Sequence, residues 1–471
     1  MKTVIVGGGA VGFQLAQQLI RENQDVVLIE SEPEQARILS NRLDCMVVNG
    51  PGNNLEILRE AGTADADYFV AVTTSDEINM ISCALVSSEF TVPNKIARVR
   101  NIEYSGTRLA GAGFLGIDHV VNPEIETARE IVTSIDQGAL SDVMSFEKSN
   151  LQMQSLTVAA HSPIINKYLH ELGRFIDVPF LIALIVRDNS YIIPSGESRI
   201  QEGDQIYVVA TAENNETVFE HLGKAKTALN KVVLVGGGGK IGQLIAEHML
   251  EGTFHGYGAT KKGKRKKRKG QVNLKIVERD YQKCKDLANR FRSATAIHAD
   301  ITDESLFQEE QFASSDLVVA VTDNQELNIV TALYARSVGI QRTVALVNNT
   351  GYAEISTKLG IDVAISLKKA MVDAILKIIR KGSVHGLHSL SGGQIEVLEF
   401  IITPNAPVLG KELRHVKLPP GSLIVSFTHS GTTSIPDGQT TLNAGDDLVV
   451  ISRQEHFGRI EAIFAPQDTK A

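Results

Sequence analysis

The sequence predicts an α/β fold: two Rossmann-like, doubly wound parallel-sheet lobes, each followed by a small α+β lobe. Three observations predict it. Short apolar runs alternate with amphipathic stretches, the pattern of strands separated by covering helices. A glycine-rich turn follows an apolar run twice, as VIVGGGAVG at 4–12 and VLVGGGGKIG at 233–242. The segments downstream of each turn recur in the same order, which makes the chain an internal duplication.

In the first unit, TVIV reads as a strand, the glycines as a turn and GFQLAQQLIREN as a helix. DVVLIE, EPEQARILSNRL, CMVVNG, NLEILREAG, DYFVAV and DEINMISCALVSSEF continue the alternation. In NPEIETAREIVTSIDQG, Asn122 is placed to cap a helix and Pro123 to open its first turn. Ile125, Ala128, Ile131, Val132 and Ile135 form one apolar stripe. That helix either connects the first Rossmann-like lobe to the small lobe after it or packs against a partner. LQMQSLTVA, FLIALIVRD, SYIIPSG and DQIYVVAT then read as short strands of a β-rich lobe, with Gly196 and Gly203 available for positive φ.

The repeat can be followed by offset. Gly7, Gly9 and Gly12 recur as Gly237, Gly239 and Gly242, and VVLIES at 26–31 recurs as LKIVER at 274–279, which sets Glu30 opposite Glu278. DYFVAVTTSDEIN at 67–79 matches DLVVAVTDNQELN at 316–328, setting Thr322 opposite Thr73. PIINKYL at 163–169 parallels PVLGKEL at 407–413, and IIPSGESRIQEGDQIYVVA at 192–210 parallels SIPDGQTTLNAGDDLVVIS at 434–452. The expected domains are 1–140 and 230–382 for the Rossmann-like lobes, with 141–226 and 383–471 for the small lobes. From Gly12 to Glu30 is 18 residues and from Gly242 to Glu278 is 36, so the second lobe carries an insertion, placed at about 252–271.

Composition narrows the class. The chain has 471 residues, 43% hydrophobic and 22% charged, enough for several cores without staples. A formal net charge of −8 opposes general nucleic-acid binding. Cys45, Cys83 and Cys284 form no CxxC pair, which suits a reducing cytoplasm. No apolar run reaches the roughly 18–20 residues that span a bilayer. Three glycines interrupt the apolar start where a signal peptide wants Leu or Ala.

The glycines carry nucleotide chemistry. Gly7 permits a tight strand-to-helix turn, Gly9 lets the backbone approach a phosphate, and Gly12 lets helix and strand pack closely. Phosphates would lie on free amides at the positive end of the helix dipole. Glu30 ends the second strand where a carboxylate accepts hydrogen bonds from a ribose diol and repels a 2′-phosphate, favouring NAD(H) or an adenosine nucleotide over NADP. The plainer alternative is a glycine turn kept for packing. Thr73, Thr74 and Asp76 follow a strand at the carboxyl edge, where hydroxyls reach phosphate or ribose, although Thr74 or Ser75 could equally cap the next helix. Arg98 ends the following strand and could pair with a phosphate or with a rim carboxylate.

The second copy is unequal. Leu346 stands opposite Arg98, Lys240 replaces Ala10, and Asp300 stands opposite Pro51. The second site is expected to hold phosphates less well or to prefer a different nucleotide. No HExxH, GxSxG or Cys–His signature is present. His385 and His388 fall in an expected loop and lack further ligands at metal spacing. No catalytic or metal-binding set is expected: a cradle without acid–base chemistry suggests sensing, with an NAD-dependent oxidoreductase of unrecognised substrate as the alternative.

The A-B-A-B layout, the two glycine loops with their acids, ILREAG at 57–62, AISLKKA at 364–370 and KLPPGSLI at 417–424 closely resemble the tandem-RCK family of Trk-type potassium-uptake regulatory proteins. The resemblance implies a cytoplasmic assembly, peripheral on the inner face of the plasma membrane. It further implies that NAD(H) and/or ATP/ADP gate an integral-membrane potassium channel subunit, and that the chain is a homo-oligomer, a tetramer by analogy. Its nucleotide contacts carry over to Gly7, Gly8, Gly9, Ala10, Val11, Gly12, Glu30, Thr73, Thr74 and Arg98. In the second lobe they carry over to Gly237, Gly238, Gly239, Lys240, Ile241, Gly242, Glu278 and Thr322. The departure from the family is the insertion around TKKGKRKKRKG, where eight of the nine residues from Lys261 to Lys269 are basic. It reads either as a solvated loop or as a contact for anionic lipid headgroups, worth about 1 kcal/mol per basic residue.

Overall fold

The computed structural model describes the chain apart from residues 23, 102–103, 105–113, 137–142, 147–148, 189, 212, 224–228, 253–271, 304, 380–383, 391–393 and 466–471. The basic insertion therefore lies outside the described residues. Two compact units form, Met1–Ser141 with Ala228–Leu376, and Asp142–Thr227 with Lys377–Ala471.

The first unit holds both parallel sheets. Strands β1 (Lys2–Val6), β2 (Asp25–Glu30), β3 (Met46–Asn49), β4 (Tyr68–Ala71), β5 (Asn94–Arg98) and β6 (His119–Val121) lie in the order β3-β2-β1-β4-β5-β6. Their central residues are apolar on both faces, as expected of strands covered by helices on each side; Val4, Ile5, Phe69, Val70, Ile96 and Ala97 are fully buried. Helices α1 (Ala10–Arg21), α2 (Pro33–Arg42), α3 (Leu55–Glu60) and α4 (Asp76–Glu89) supply the cover, and α5 (Pro123–Asp136) follows β6. Winding reverses between β1 and β4, which creates the crevice where ligands bind in open α/β sheets. Val6 pairs with Ile29 and Ala71, and Ala71 with Ala97, so the residues after β1, β2, β4 and β5 share one carboxyl edge.

In the second unit, β7 (Val143–Ser145), β8 (Leu151–Thr157), β9 (Phe180–Arg187), β10 (Ser190–Ile192) and β11 (Gln205–Thr211) make a five-stranded sheet with α6 (Leu169–Leu172) and α7 (Asn215–His221). Its β8, β9 and β11 pair antiparallel. Gly203 takes the positive φ its turn needs, 81°; Gly196 is not among the glycines with positive φ.

The second parallel sheet repeats the first: β12 (Lys231–Val235), β13 (Asn273–Glu278), β14 (Thr295–His298), β15 (Leu317–Ala320), β16 (Arg342–Val347) and β17 (Val363–Ser366) lie in the order β14-β13-β12-β15-β16-β17. Helices α8 (Lys240–Glu251), α9 (Tyr281–Arg290), α10 (Leu306–Glu309), α11 (Gln325–Ser337), α12 (Thr350–Lys358) and α13 (Leu367–Ile379) accompany it. Ala320 pairs with Ala345, which places Leu346 opposite Arg98 in the fold as in the sequence. Strands β18 (Val384–Leu390), β19 (Ile395–Ile401), β20 (Ser422–His429), β21 (Thr432–Ser434) and β22 (Asp447–Arg453), with α14 (Phe457–Phe464), complete the second unit.

Two sequence expectations change. His385 and His388 lie in β18 rather than in a loop; a bulge between Val384 and Gly386 lets a Gly-containing, polar segment pair with β19. The α5 stripe packs against the second Rossmann-like lobe. Ile125, Ala128, Ile131, Val132 and Ile135 join Val232, Leu234, Ile245, Leu274 and Val344 in one buried cluster. Asn122 caps the helix through its Oδ1, which accepts from the Ile125 amide at 3.0 Å. No described helix is long and apolar enough to cross a membrane.

Candidate nucleotide-binding sites

The first site is built on the turn between β1 and α1. Gly7 has φ 102°, and a Cβ there would press on the Thr73 amide. A Cβ on Gly12 would collide with the Gly7 carbonyl, so the helix comes this close to the turn only because Gly12 has no side chain. Gly9 is the N-cap of α1 and makes no side-chain cap bond, which leaves the first-turn amides of Ala10, Val11 and Gly12 as open donors. Glu30 is tied into the loop: its Oε2 accepts from the Gly8 amide at 2.7 Å and its Oε1 from the Glu32 amide at 2.9 Å.

Across the crevice, Asn79 organises the ends of β4 and β5. Its Oδ1 accepts from the Thr73 amide (2.8 Å) and hydroxyl (2.7 Å); its Nδ2 donates to the Thr73 and Arg98 carbonyls at 3.1 and 2.9 Å. Thr73 is therefore held by protein, and Thr74, exposed beside it, is the hydroxyl left toward solvent. Ser75 provides the cap of α4, accepting from the Ile78 amide at 3.2 Å. Asp76 accepts from the Arg100 and Asn101 amides at 2.9 and 2.7 Å, so it fixes the loop after β5 instead of facing a ligand. Arg98 donates from Nη1 to the Thr73 carbonyl at 3.0 Å, and its buried Nε has no hydrogen-bond partner. Burial, then Arg100, hold its pKa below the usual guanidinium value, with Glu124 and Asp76 opposing. A guanidinium desolvated in this way gains from an incoming anion.

The second site repeats the plan with one shift. The positive-φ glycine is Gly236 (φ 81°), whose amide bonds the Val277 carbonyl as that of Gly7 bonds Ile29. Gly237, set opposite Gly7 by sequence offset, is one extra residue, and the Gly239 amide turns back onto the Gly236 carbonyl at 3.3 Å. The second loop is thus one residue longer. Gly238 takes the part of Gly8, donating to Glu278 Oε2 at 2.9 Å, while Glu278 Oε1 accepts from Asp280 at 3.0 Å. Gly239 is the uncapped N-cap of α8, with Lys240, Ile241 and Gly242 in its first turn. Asn328 repeats Asn79: it accepts from the Thr322 amide and hydroxyl at 2.9 and 2.6 Å and donates to the Thr322 and Leu346 carbonyls at 3.0 and 2.9 Å.

Sequence reasoning missed Gly236, Asn79 and Asn328. The two asparagines close the matched segments DYFVAVTTSDEIN and DLVVAVTDNQELN, so their recurrence was the available signal. Among the described residues, no group of three or more His, Cys, Asp or Glu is arranged to hold a metal ion.

Two Rossmann-like sheets with open glycine loops, each followed by an antiparallel lobe, define a tandem Rossmann-lobe protein. The TrkA-N domain pattern matches residues 3–123 and 233–367, and the TrkA-C domain pattern matches 153–223 and 397–465. The Trk system potassium uptake protein TrkA of Azorhizobium caulinodans is 30% identical over 98% of this chain and 98% of its own length. That of Halomonas elongata is 30% identical over 96% of this chain and 95% of its own. The chain belongs to the TrkA family of Trk system potassium uptake proteins. Among solved structures, the GsuK channel bound to NAD has the same fold, with TM-score 0.56 and 19% identity over 99% of this chain and 79% of that one. The GsuK RCK domain, at TM-score 0.55 and 18% identity, covers 99% and 95%.

Proposed function

We propose that this chain is a nucleotide-sensing regulatory subunit of a Trk-type potassium uptake system, acting from the cytoplasmic face on an integral-membrane channel subunit. NAD(H) and ATP/ADP are the effectors, bound at the two carboxyl-edge crevices. The observation that carries this is the pair of uncapped helix N-termini, Gly9–Gly12 and Gly239–Gly242, each with a carboxylate, Glu30 or Glu278, against its glycine loop. Phosphate takes the open amides and the carboxylate takes the ribose diol. Nucleotide occupancy then changes the relative orientation of the lobes, by no more than its differential affinity for the two states allows. Membership of the TrkA family supports the potassium role, and the assembly is read as a homo-tetramer.

Rubidium uptake into vesicles carrying the membrane subunit tests this. Uptake should change severalfold on adding nucleotide together with this chain, and Arg98→Ala should shift the response to higher nucleotide concentration. Uptake indifferent to the chain, or a nucleotide response in its absence, would sink the reading.

A further inference from the structure

The two crevices carry their positive charge on opposite sides of the switch point. In the first, three positions around the glycine loop are uncharged: Ala10 opens α1, Ser31 follows Glu30, and Gln35 lies on the first turn of α2. Its cation is Arg98, on the far half beside Thr73 and Thr74. In the second, three basic residues replace the neutral ones, Lys240 for Ala10, Arg279 for Ser31 and Lys283 for Gln35, and all three are exposed. Lys240 is the first residue of α8. The Lys283 stem lies over the glycine loop, its Cβ 3.0 Å from where a Cβ on Gly238 would sit. Arg279 directly follows Glu278. The far half has turned the other way: Leu346 replaces Arg98, and exposed Asp323 replaces Thr74.

A dinucleotide spans the switch point, with one half of the molecule on each side. A mononucleotide keeps its phosphate chain at the glycine loop. The first crevice places its cation where the second half of a dinucleotide lies. The second concentrates cations at the glycine loop and sets a carboxylate and an apolar side chain across the crevice. Its loop, longer by one glycine, also spends the Gly239 amide internally, so side-chain ammonium groups take over part of the phosphate contact that backbone amides make in the first.

We infer that the second glycine loop selects a nucleoside di- or triphosphate over a dinucleotide, with Lys240, Lys283 and Arg279 as the residues that set this preference. The inference rests on the two-site reading above. A 2′-phosphate is the competing use for Arg279. Glu278, 8% exposed and bonded to Gly238, places its carboxylate at the ribose edge and opposes that phosphate.

The test is calorimetric titration of the full chain with ADP, ATP, NADH and NADPH. Wild type is compared with Lys240→Ala/Arg279→Ser/Lys283→Gln, which installs the first-site residues at exposed positions; circular dichroism confirms that the variant folds. Each exposed cation–phosphate pair is worth up to about fivefold. ADP and ATP should therefore weaken about tenfold or more at one of two sites, while NADH changes less than about twofold. Two sites with unchanged ADP and ATP, an equal loss for NADH, or NADPH the tightest ligand at the affected site would each overturn the preference alone. One equivalent per chain for every nucleotide, lost on Glu30→Ala, would remove the second site and both readings with it.

Discussion

Asn79 spends its whole carboxamide on four groups from two strand ends, and Asn328 does the same in the other lobe. Both are essentially buried, at 0% and 1% exposure, so every lone pair and proton they use has no water to fall back on. Asn79→Ala leaves the part-buried Thr73 amide and Arg98 carbonyl without the carboxamide, while the Thr73 carbonyl keeps Arg98 Nη1, at about 1–3 kcal/mol for each group left unsatisfied. Urea unfolding should show a loss of at least that size, and a loss below about 0.5 kcal/mol, the scale of an ordinary surface change, would contradict the role. Glu30, Glu278 and the second-lobe position of Leu346 were legible because strand-end spacing reports them directly. Asn79 was not, because a lone Asn inside an amphipathic helix carries no pattern of its own. Gly236 was hidden for another reason. A run of four glycines can be aligned in two ways, and only the pairing of Val235 with Val277 and Ala320 fixes which one turns.

At the level of elements, α5 shows what periodicity reports and what it omits. The stripe from Ile125 to Ile135 was readable as a face to be buried, but spacing does not name what covers it. The cover is α8 and the sheet of the second lobe, so the two Rossmann-like lobes share one apolar cluster. On the same helix, burial pushes the Glu130 carboxyl up to about 7, with Lys369 opposing and Asp373 adding to the shift. A carboxyl raised in the folded state from its ordinary value of 4.5 binds more protons there than in the unfolded chain. Its contribution to stability therefore falls as pH rises from about 4.5 to about 7 and is level above that. Glu130→Gln should flatten this part of the profile of unfolding midpoint against pH. A slope unchanged by the substitution would place the titration elsewhere. The other element misread from sequence, β18, was concealed by Gly386 and by its polar character, which resemble a loop until the bulge lets them pair.

Over the whole molecule, duplication explains why so much of the fold could be read from sequence. Each lobe is written twice, so a segment matched in the same order in the second copy confirms an element that one copy alone would leave ambiguous. The same duplication freed the second copy to diverge, in its longer loop, its basic rim and its insertion. The basic block Lys261–Lys269, outside the described residues, is expected to draw the chain to anionic lipid by about 1 kcal/mol per basic residue near the surface. Sedimentation with phosphatidylserine vesicles should fall on deleting the block and on raising salt, and equal binding by wild type and deletion would remove the lipid role. The central claim is that two crevices in one chain bind nucleotide through Glu30 and Glu278. Calorimetric titration of wild type, Glu30→Ala and Glu278→Ala with NADH and ATP tests it most directly. Each substitution should weaken one site about tenfold or more and spare the other, the size of a lost charge-assisted bond pair; nucleotide binding unchanged by both would contradict it.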